Sequence, residues 1–176
     1  MRIRTFHYED IPTLLEVEQQ AAQADGRALR QNFVDWLTAP EQDTLSNVFV
    51  ITDDDDELNT WGQAGTLEGI EGEIIGYTLV QVHQDEEGYH LLCQGAVSPP
   101  HRRRNAGRAL LICALNRALV LAEEFEFEAE QMGIPVYFEA LLPVRDAASP
   151  RLAAKCELSP TDEITPDEMR LYRSEL

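Results

Sequence analysis

Four arginines fall within seven positions of the chain, at Arg102, Arg103, Arg104 and Arg108. An apolar segment, residues 89–97, comes before them and predicts a strand, and the pattern after them predicts an amphipathic helix. The first turn of a helix has unpaired backbone N–H groups, and the helix dipole favours negative charge there. The chain has only 14 Lys and Arg and a formal charge of −18. This concentration of scarce cations predicts a site for a pyrophosphate or a similar polyanion.

The same segment resembles the acyl-CoA-binding signature of the GCN5-related N-acetyltransferase (GNAT) superfamily. That signature reads R/Q-x-x-G-x-G/A and follows an apolar residue, a spacer and often a proline. Arg102 and Gly107 match it, and Val97 and Pro99 match its entry. Asn105 stands where the first glycine is usual, and asparagine tolerates the left-handed conformation better than most residues. We therefore expect the turn to form, with the Asn105 side chain close to the pyrophosphate.

The first 15 residues also resemble the family's first strand and first helix, with Asp10 as the expected cap and Pro12 in the first turn. The resemblance implies an α/β (α+β) GNAT fold. In that fold a central mixed, mostly antiparallel sheet is flanked by helices, and its two central parallel strands splay apart.

Length and composition predict a single domain over residues 1–176. No apolar run approaches the roughly 20 residues of a membrane span, and the N-terminus lacks a signal-peptide pattern, so we expect a cytoplasmic protein that binds no membrane. The acidic, glycine-containing stretch at about 53–73 is expected to be a solvated insertion. A metal-binding loop is the alternative, although four contiguous aspartates do not match the ligand spacing of calcium loops.

The net charge argues against nucleic-acid binding, because phosphates would be repelled. It is compatible with a cationic or amine acceptor, with simple solubility, or with an acidic proteome. Cys93, Cys113 and Cys156 form neither a disulfide framework nor a metal-ligand pattern, so we expect no metal. A homodimer is compatible with the sequence.

Periodicity and turn residues predict the remaining elements. Gly133 is expected to end the long helix, Ser149 to cap the last one, and the segment 158–164 to pair with the final strand. The predicted helices are 11–24, 28–38, 105–132 and 149–156, and the predicted strands are 2–7, 47–52, 74–83, 89–97, 134–142 and 169–176.

The resemblance implies that acetyl-CoA is the cosubstrate. Its pantetheine arm would bind along the edge of the strand before the arginine loop, with Gly95 as a bulge site, and its pyrophosphate would bind the loop. The residues implied in binding are Ala96, Val97, Arg102, Arg103, Arg104, Asn105, Ala106, Gly107, Arg108 and Ala109.

The catalytic residues are less clearly marked. Many relatives carry on the last helix a tyrosine that serves as the general acid, and Ala153 stands at the matching position. Asp146 replaces an asparagine that is usual near the thioester sulfur. Tyr137 is the substitute candidate for the general acid, and His90 is the candidate base because histidine titrates near neutral pH. For both residues a structural role in the sheet is the alternative.

These features favour an acetyl-CoA-dependent N-acyltransferase that moves an acetyl group to an amine of a small molecule or peptide. Two alternatives remain. One is a GNAT-fold domain that binds CoA or regulates a partner with little or no catalysis. The other is an acidic protein-interaction module whose arginine turn contacts a phosphorylated partner.

Overall fold

The structure is a computed structural model, and it describes residues 1–30, 32–39, 43–53 and 72–176. The part of the acidic insertion between residues 54 and 71 lies outside the described residues, as does Trp61. No helix in the described ranges combines the length and apolarity needed to span a bilayer.

The described elements follow the predicted order. The helices are α1 Ile11–Asp25, α2 Phe33–Thr38, α3 Thr44–Asn47, α4 Ala106–Met132 and α5 Ser149–Ala154. The strands are β1 Arg2–Thr5, β2 Val48–Asp53, β3 Glu73–Gln84, β4 Tyr89–Val97, β5 Val136–Pro143, β6 Ser159–Ile164 and β7 Met169–Glu175.

The described strands form one seven-stranded sheet in the order β1-β2-β3-β4-β5-β7-β6. Only β4 and β5 run parallel, and the other neighbours are antiparallel. The α4 helix between β4 and β5 is the crossover that a parallel pair requires. The predicted mixed, mostly antiparallel sheet is therefore confirmed.

The splay of the central strands is also confirmed. Pairing between β4 and β5 runs from Tyr89 opposite Val136 to Cys93 opposite Ala140 and ends there. Beyond that point β4 stays paired with β3 as far as Val97, and β5 stays paired with β7 as far as Pro143. The two strands thus leave a notch between their C-terminal ends.

The core has a layer on each face of the sheet. On one face, α4 packs over β4 and β5 in a cluster that includes Leu111, Phe138 and Ala153. On the other face, α1 and α2 pack over β2 and β3 around Leu14 and Tyr77. A helix with one apolar stripe has to bury it against such a sheet, so the two layers fix where α1 and α4 meet the notch.

Some local predictions need correction. The second helix begins at Phe33 instead of residue 28. Asp10 does not cap α1 with its side chain; its carboxylate accepts hydrogen bonds from the His7 backbone N–H and from the Arg4 guanidinium. Ser149 lies inside α5 and donates its hydroxyl to the Pro143 carbonyl, 2.8 Å away. These polar side chains found partners from other elements, which the local sequence does not show.

Gly95 is not a bulge, because the β3–β4 register runs past it without a shift. A Cβ at this position would lie 2.4 Å from the Tyr77 carbonyl oxygen. The glycine is needed because the backbone of β3 approaches closely here. This is one of the ordinary uses of glycine inside a strand.

Candidate functional site

The notch between β4 and β5 opens into a cavity of about 330 Å³. Its wall joins the last residues of β4 and β5, the arginine loop, the start of α4 and one side of α5. The lining residues that the sequence also selected are Ala96, Val97, Arg102, Arg103, Asn105, Gly107 and Arg108.

The three other residues expected in binding lie beside the cavity. Ala106 is buried and Ala109 packs partly buried against the same small core cluster, so their side chains face the protein. Arg104 is exposed, with its guanidinium 3.8 Å from the Asp53 carboxylate. Ala106 and Ala109 therefore have only backbone groups to offer, and the Ala109 N–H is already bonded to the Asn105 carbonyl.

The turn into α4 is built from left-handed residues. Arg103 has φ of 68° and Asn105 has φ of 66°, a region in which asparagine is tolerated and most other side chains are rare. The Asn105 side chain makes no capping bond to α4. The first-turn N–H groups of this 27-residue helix are consequently available to an anion.

The arginines differ in their partners. Arg102 donates from both terminal nitrogens to the Asp25 carboxylate, at 2.6 and 3.0 Å, and from Nε to the Val97 carbonyl. Arg103 is mostly exposed and donates to Asp146 at 2.7 Å. Arg108 is exposed, lines the cavity and makes no ion pair with any of the residues described.

The inner end of the cavity is closed by a buried charged group that sequence reasoning missed. Tyr77 lines the cavity and donates its hydroxyl to Glu18, 2.7 Å away, and Arg27 donates two hydrogen bonds to the same carboxylate. Burial by itself raises the pKa of Glu18, but the hydrogen bond from Arg27 and the nearby arginine charges lower it overall. Glu18 follows the apolar stripe of α1, which is the signal that it would be buried.

Cys93 lies on the cavity wall, but its thiol is not a nucleophile. Burial raises the pKa of Cys93 to about 12, despite a contact of 3.3 Å to the Thr78 hydroxyl. The thiolate is the reactive form of cysteine. The side chain therefore serves packing.

The two catalytic candidates are not brought to the cavity. His90 and Tyr137 pair with each other at the opposite end of the β4–β5 ladder, and neither belongs to the cavity wall. At about 3.3 Å per residue, His90 lies roughly 13 Å along β4 from Gln94, the wall residue on the same face. Both nitrogens of the buried His90 ring contact carboxylates, and the Tyr137 ring stacks under the Arg173 guanidinium.

Ala153 does not face the cavity either. It is fully buried in the core cluster under α4. The same helix turns Ser149, Arg151 and Leu152 toward the cavity, and Lys155 follows directly after it. Position 153, which matches the tyrosine of many relatives, therefore does not line the cavity, because α5 presents a different side to the notch.

A comparison with known families identifies the class of protein. The model of the acetyltransferase (GNAT) family matches residues 26–130. This range includes β2, β3, β4 and nearly all of α4. The chain therefore belongs to the GNAT family of acetyl-CoA-dependent N-acetyltransferases, whose members acetylate amines. No curated protein sequence matches the chain.

Solved structures agree on the fold at low sequence identity. The ribosomal-protein-alanine N-acetyltransferase from Brucella melitensis is similar over 100% of both chains, with a TM-score of 0.64 and 17% identity. The ribosomal-protein-S18-alanine N-acetyltransferase from Escherichia coli covers 99% of this chain, over 92% of its own, with a TM-score of 0.55 and 17% identity. The acetyltransferase yncA from Salmonella typhimurium, solved with its cofactor acetyl-CoA, covers 100% of this chain, over 92% of its own, with a TM-score of 0.60 and 18% identity.

Proposed function

We propose that acetyl-CoA binds in the notch between β4 and β5 and that the chain transfers its acetyl group to an amine of a small molecule or peptide. The observation that carries this proposal is the end of the β4–β5 ladder at Cys93. Beyond Cys93, the edge of β4 that faces β5 has no strand partner among the described strands. Backbone groups alternate between the two edges of a strand and Ser98 donates to β3, so the N–H groups of Gly95 and Val97 point toward this unpaired edge, while the Val97 carbonyl accepts from Arg102. An extended chain such as pantetheine is the ligand that satisfies them.

The anionic end of acetyl-CoA belongs at the start of α4. The uncapped N–H groups of Ala106, Gly107 and Arg108 point out of the helix, and the dipole adds partial positive charge. The side chains of Arg103 and Arg108 are exposed at the mouth of the cavity and are suited to phosphate oxygens. Arg102 contributes mainly to the loop, since its guanidinium is occupied by Asp25.

Gly107 provides a test of fit that is independent of charge. A Cβ at position 107 would lie 3.8 Å from Leu152 Cδ2 and 3.9 Å from Val97 Cγ2, which are ordinary contacts. The fold therefore does not require a glycine here. The missing side chain leaves space in the cavity directly at the helix N-terminus, as close approach of a pyrophosphate would require.

Acetyl-CoA supplies an activated thioester, so the protein has mainly to position it and admit a neutral amine. The amine nitrogen bonds to the acetyl carbon, and the carbon–sulfur bond breaks to release CoA as a thiolate. The proton that the amine loses protonates this thiolate, through water, so that free CoA leaves as the thiol. Apolar side chains of the cavity, including Leu110, Leu141 and Leu142, keep water from the thioester. The charge of −18 favours a cationic acceptor near the surface.

A single domain over residues 1–176 is part of this proposal. Its support is that β1 from the N-terminus and β6 and β7 from the C-terminus pair into the same sheet as the notch strands.

The binding proposal predicts that two substitutions of Gly107 differ strongly in their effect on acetyl-CoA affinity. Gly107→Leu should weaken acetyl-CoA binding at least 100-fold, because the side chain fills the space beside Leu152 and Val97. Gly107→Ala should fold normally, with a slight gain in helix stability, and should lose much less affinity. Calorimetric titration with acetyl-CoA measures the first effect and thermal unfolding the second. Binding of wild-type strength by a folded Gly107→Leu protein would place the site elsewhere.

A further inference from the structure

A second polar cluster lies at the end of the sheet away from the notch. His83 in β3 and His90 in β4 are directly opposite each other, and their rings stack with centroids 4.6 Å apart. Asp85 follows in the turn between the two strands, and Glu139 comes from β5. One ligand atom each from His83, His90 and Glu139 lies within 4.8 Å of the others. The cluster is far enough from the cavity that the proposed function makes no use of it.

Each ring nitrogen of His90 faces a carboxylate oxygen, and a neutral ring cannot donate to both. Its Nδ1 lies 3.0 Å from Glu139 Oε1, and its Nε2 lies 3.0 Å from Asp85 Oδ1. A carboxylate only accepts hydrogen bonds, and a neutral imidazole has a single N–H to donate. One of the two contacts therefore sets a nitrogen lone pair against a carboxylate oxygen. Such a contact is stable only with a proton or a metal cation between the two atoms.

The position of Arg173 indicates which nitrogen of His90 carries the lone pair that faces a carboxylate. The Nε of Arg173 donates to Glu139 Oε1 at 2.6 Å, so the guanidinium occupies the carboxylate beside Nδ1. Glu139 is then a poor metal ligand and a good acceptor for the Nδ1–H of His90. Histidines that ligate metals commonly donate their second N–H to a carboxylate in this way. The His90 Nε2 lone pair is left facing Asp85.

The Nε2 side is open and acidic. Asp85 is half exposed and His83 is exposed, so both side chains can move, whereas His90 is buried. Asp85 Oδ1 accepts hydrogen bonds from the backbone N–H groups of Glu87 and Gly88, so the turn holds this carboxylate beside Nε2. Glu87 and Glu139 both contact the Arg173 guanidinium. With Asp85 the cluster has three carboxylates and one guanidinium, a balance that attracts a further cation.

We infer that His83, Asp85 and His90 Nε2 bind a divalent transition metal of the zinc class, with Glu139 as the outer acceptor that orients His90. Two imidazoles and a carboxylate are a donor set that suits such ions and leaves a fourth position for water. Zinc–nitrogen bonds are about 2.0–2.1 Å long, so the exposed His83 ring has to turn out of its stack toward Nε2. The ligands lie on two strands and a turn, so no regular ligand spacing in the sequence indicates the site.

The experiment is titration of the full chain, without a histidine tag, with Zn²⁺ by calorimetry, and equilibrium dialysis with metal analysis. The expected result is one Zn²⁺ per chain with affinity reduced at least tenfold by His83→Ala and by Asp85→Asn. Glu139→Gln, which keeps the ligands but alters the outer acceptor, should reduce affinity about 10- to 100-fold. His7→Ala removes an exposed histidine elsewhere and should change nothing.

Acetyl-CoA binding by His83→Ala provides the check on folding, and it should equal that of the wild type. A wild-type chain that binds no Zn²⁺ overturns the inference, and so does unchanged Zn²⁺ affinity in His83→Ala. In the first case a proton, and not a metal, lies between His90 and Asp85; in the second case the metal binds without His83. Failure of acetyl-CoA to bind the wild type would instead concern the proposed function, since the two sites share no residue.

Discussion

Single residues in this protein have roles that follow from their surroundings more than from their type. Asn105 replaces a glycine of the family signature and still adopts the left-handed conformation that the turn needs. Gly107 is free of backbone strain and leaves space. Arg102, the arginine of the signature, donates two hydrogen bonds from its guanidinium to Asp25. The loop therefore matches the family signature in its backbone conformation, while the side chains of the loop contact residues particular to this chain.

Position 153 provides a residue-scale prediction. Ala153→Tyr should lower the free energy of unfolding by about 1–3 kcal/mol, because the ring overpacks a fully buried site. It should not raise the acetyl-transfer rate. The matched control is Ala154→Tyr, on the exposed side of the same helix, which should fold as the wild type does. Urea unfolding measures both, and a stable Ala153→Tyr protein with faster transfer would show that this side chain does reach the thioester.

At the scale of elements, one ion pair joins the end of α1 to the arginine loop. Asp25 is the last residue of α1, where the helix dipole disfavours negative charge, and Arg102 offsets that charge with two hydrogen bonds. Because Arg102 also donates to the Val97 carbonyl, this contact links α1, the end of β4 and the loop. The mouth of the cavity is held by this link as well as by the sheet.

This link predicts coupling in a double-mutant cycle. Asp25→Asn and Arg102→Lys should each destabilise the protein, and together they should cost less than their sum by about 1–3 kcal/mol. The comparison cycle uses the exposed pair Arg145 and Glu168, for which coupling should stay below about 1 kcal/mol. Denaturant unfolding supplies the free energies. Additive effects at Asp25 and Arg102 would mean that the loop keeps its position without the pair.

For the whole molecule, acid stability depends on the buried carboxylate of Glu18. Its pKa is lowered in the folded state, so its contribution to stability is complete above the unfolded value near 4.5. The contribution is lost as the pH falls through the lower, folded pKa. Asp10 contributes to the same loss of stability in acid. Burial raises the pKa of Asp10, but the hydrogen bonds from Arg4 and the His7 backbone lower it overall.

Glu18→Gln should therefore cost about 3 kcal/mol or more at pH 7, because it leaves Arg27 buried without its carboxylate. The difference from the wild type should shrink as the pH falls below about 4.5. Glu16→Gln, two residues away on the exposed side of α1, should show little difference at any pH. Urea unfolding at several pH values tests this, and a constant gap between Glu18→Gln and the wild type would argue against it.

The sequence alone determined the order of the predicted elements and the position of the arginine loop. Both are local: apolar periodicity identified β4 and α4, Gly133 ended α4 in the left-handed conformation, and the arginines identified the turn between them. The α2 start was misplaced because Leu29 continues the helical spacing of Phe33, Trp36 and Leu37, whereas the helix of the folded chain begins at Phe33.

The tertiary structure decided which side chains meet. His90 and Tyr137 were chosen as catalytic candidates for their chemistry, but the parallel register of β4 and β5 sets them at the end opposite the notch. The same register brought His90 to Glu139, and the hairpin brought it to His83 and Asp85, residues that no spacing rule connects. Strand pairing and helix docking join residues far apart in the chain. Their partners are therefore set by the packing of the whole sheet, which the local pattern of any one segment does not contain.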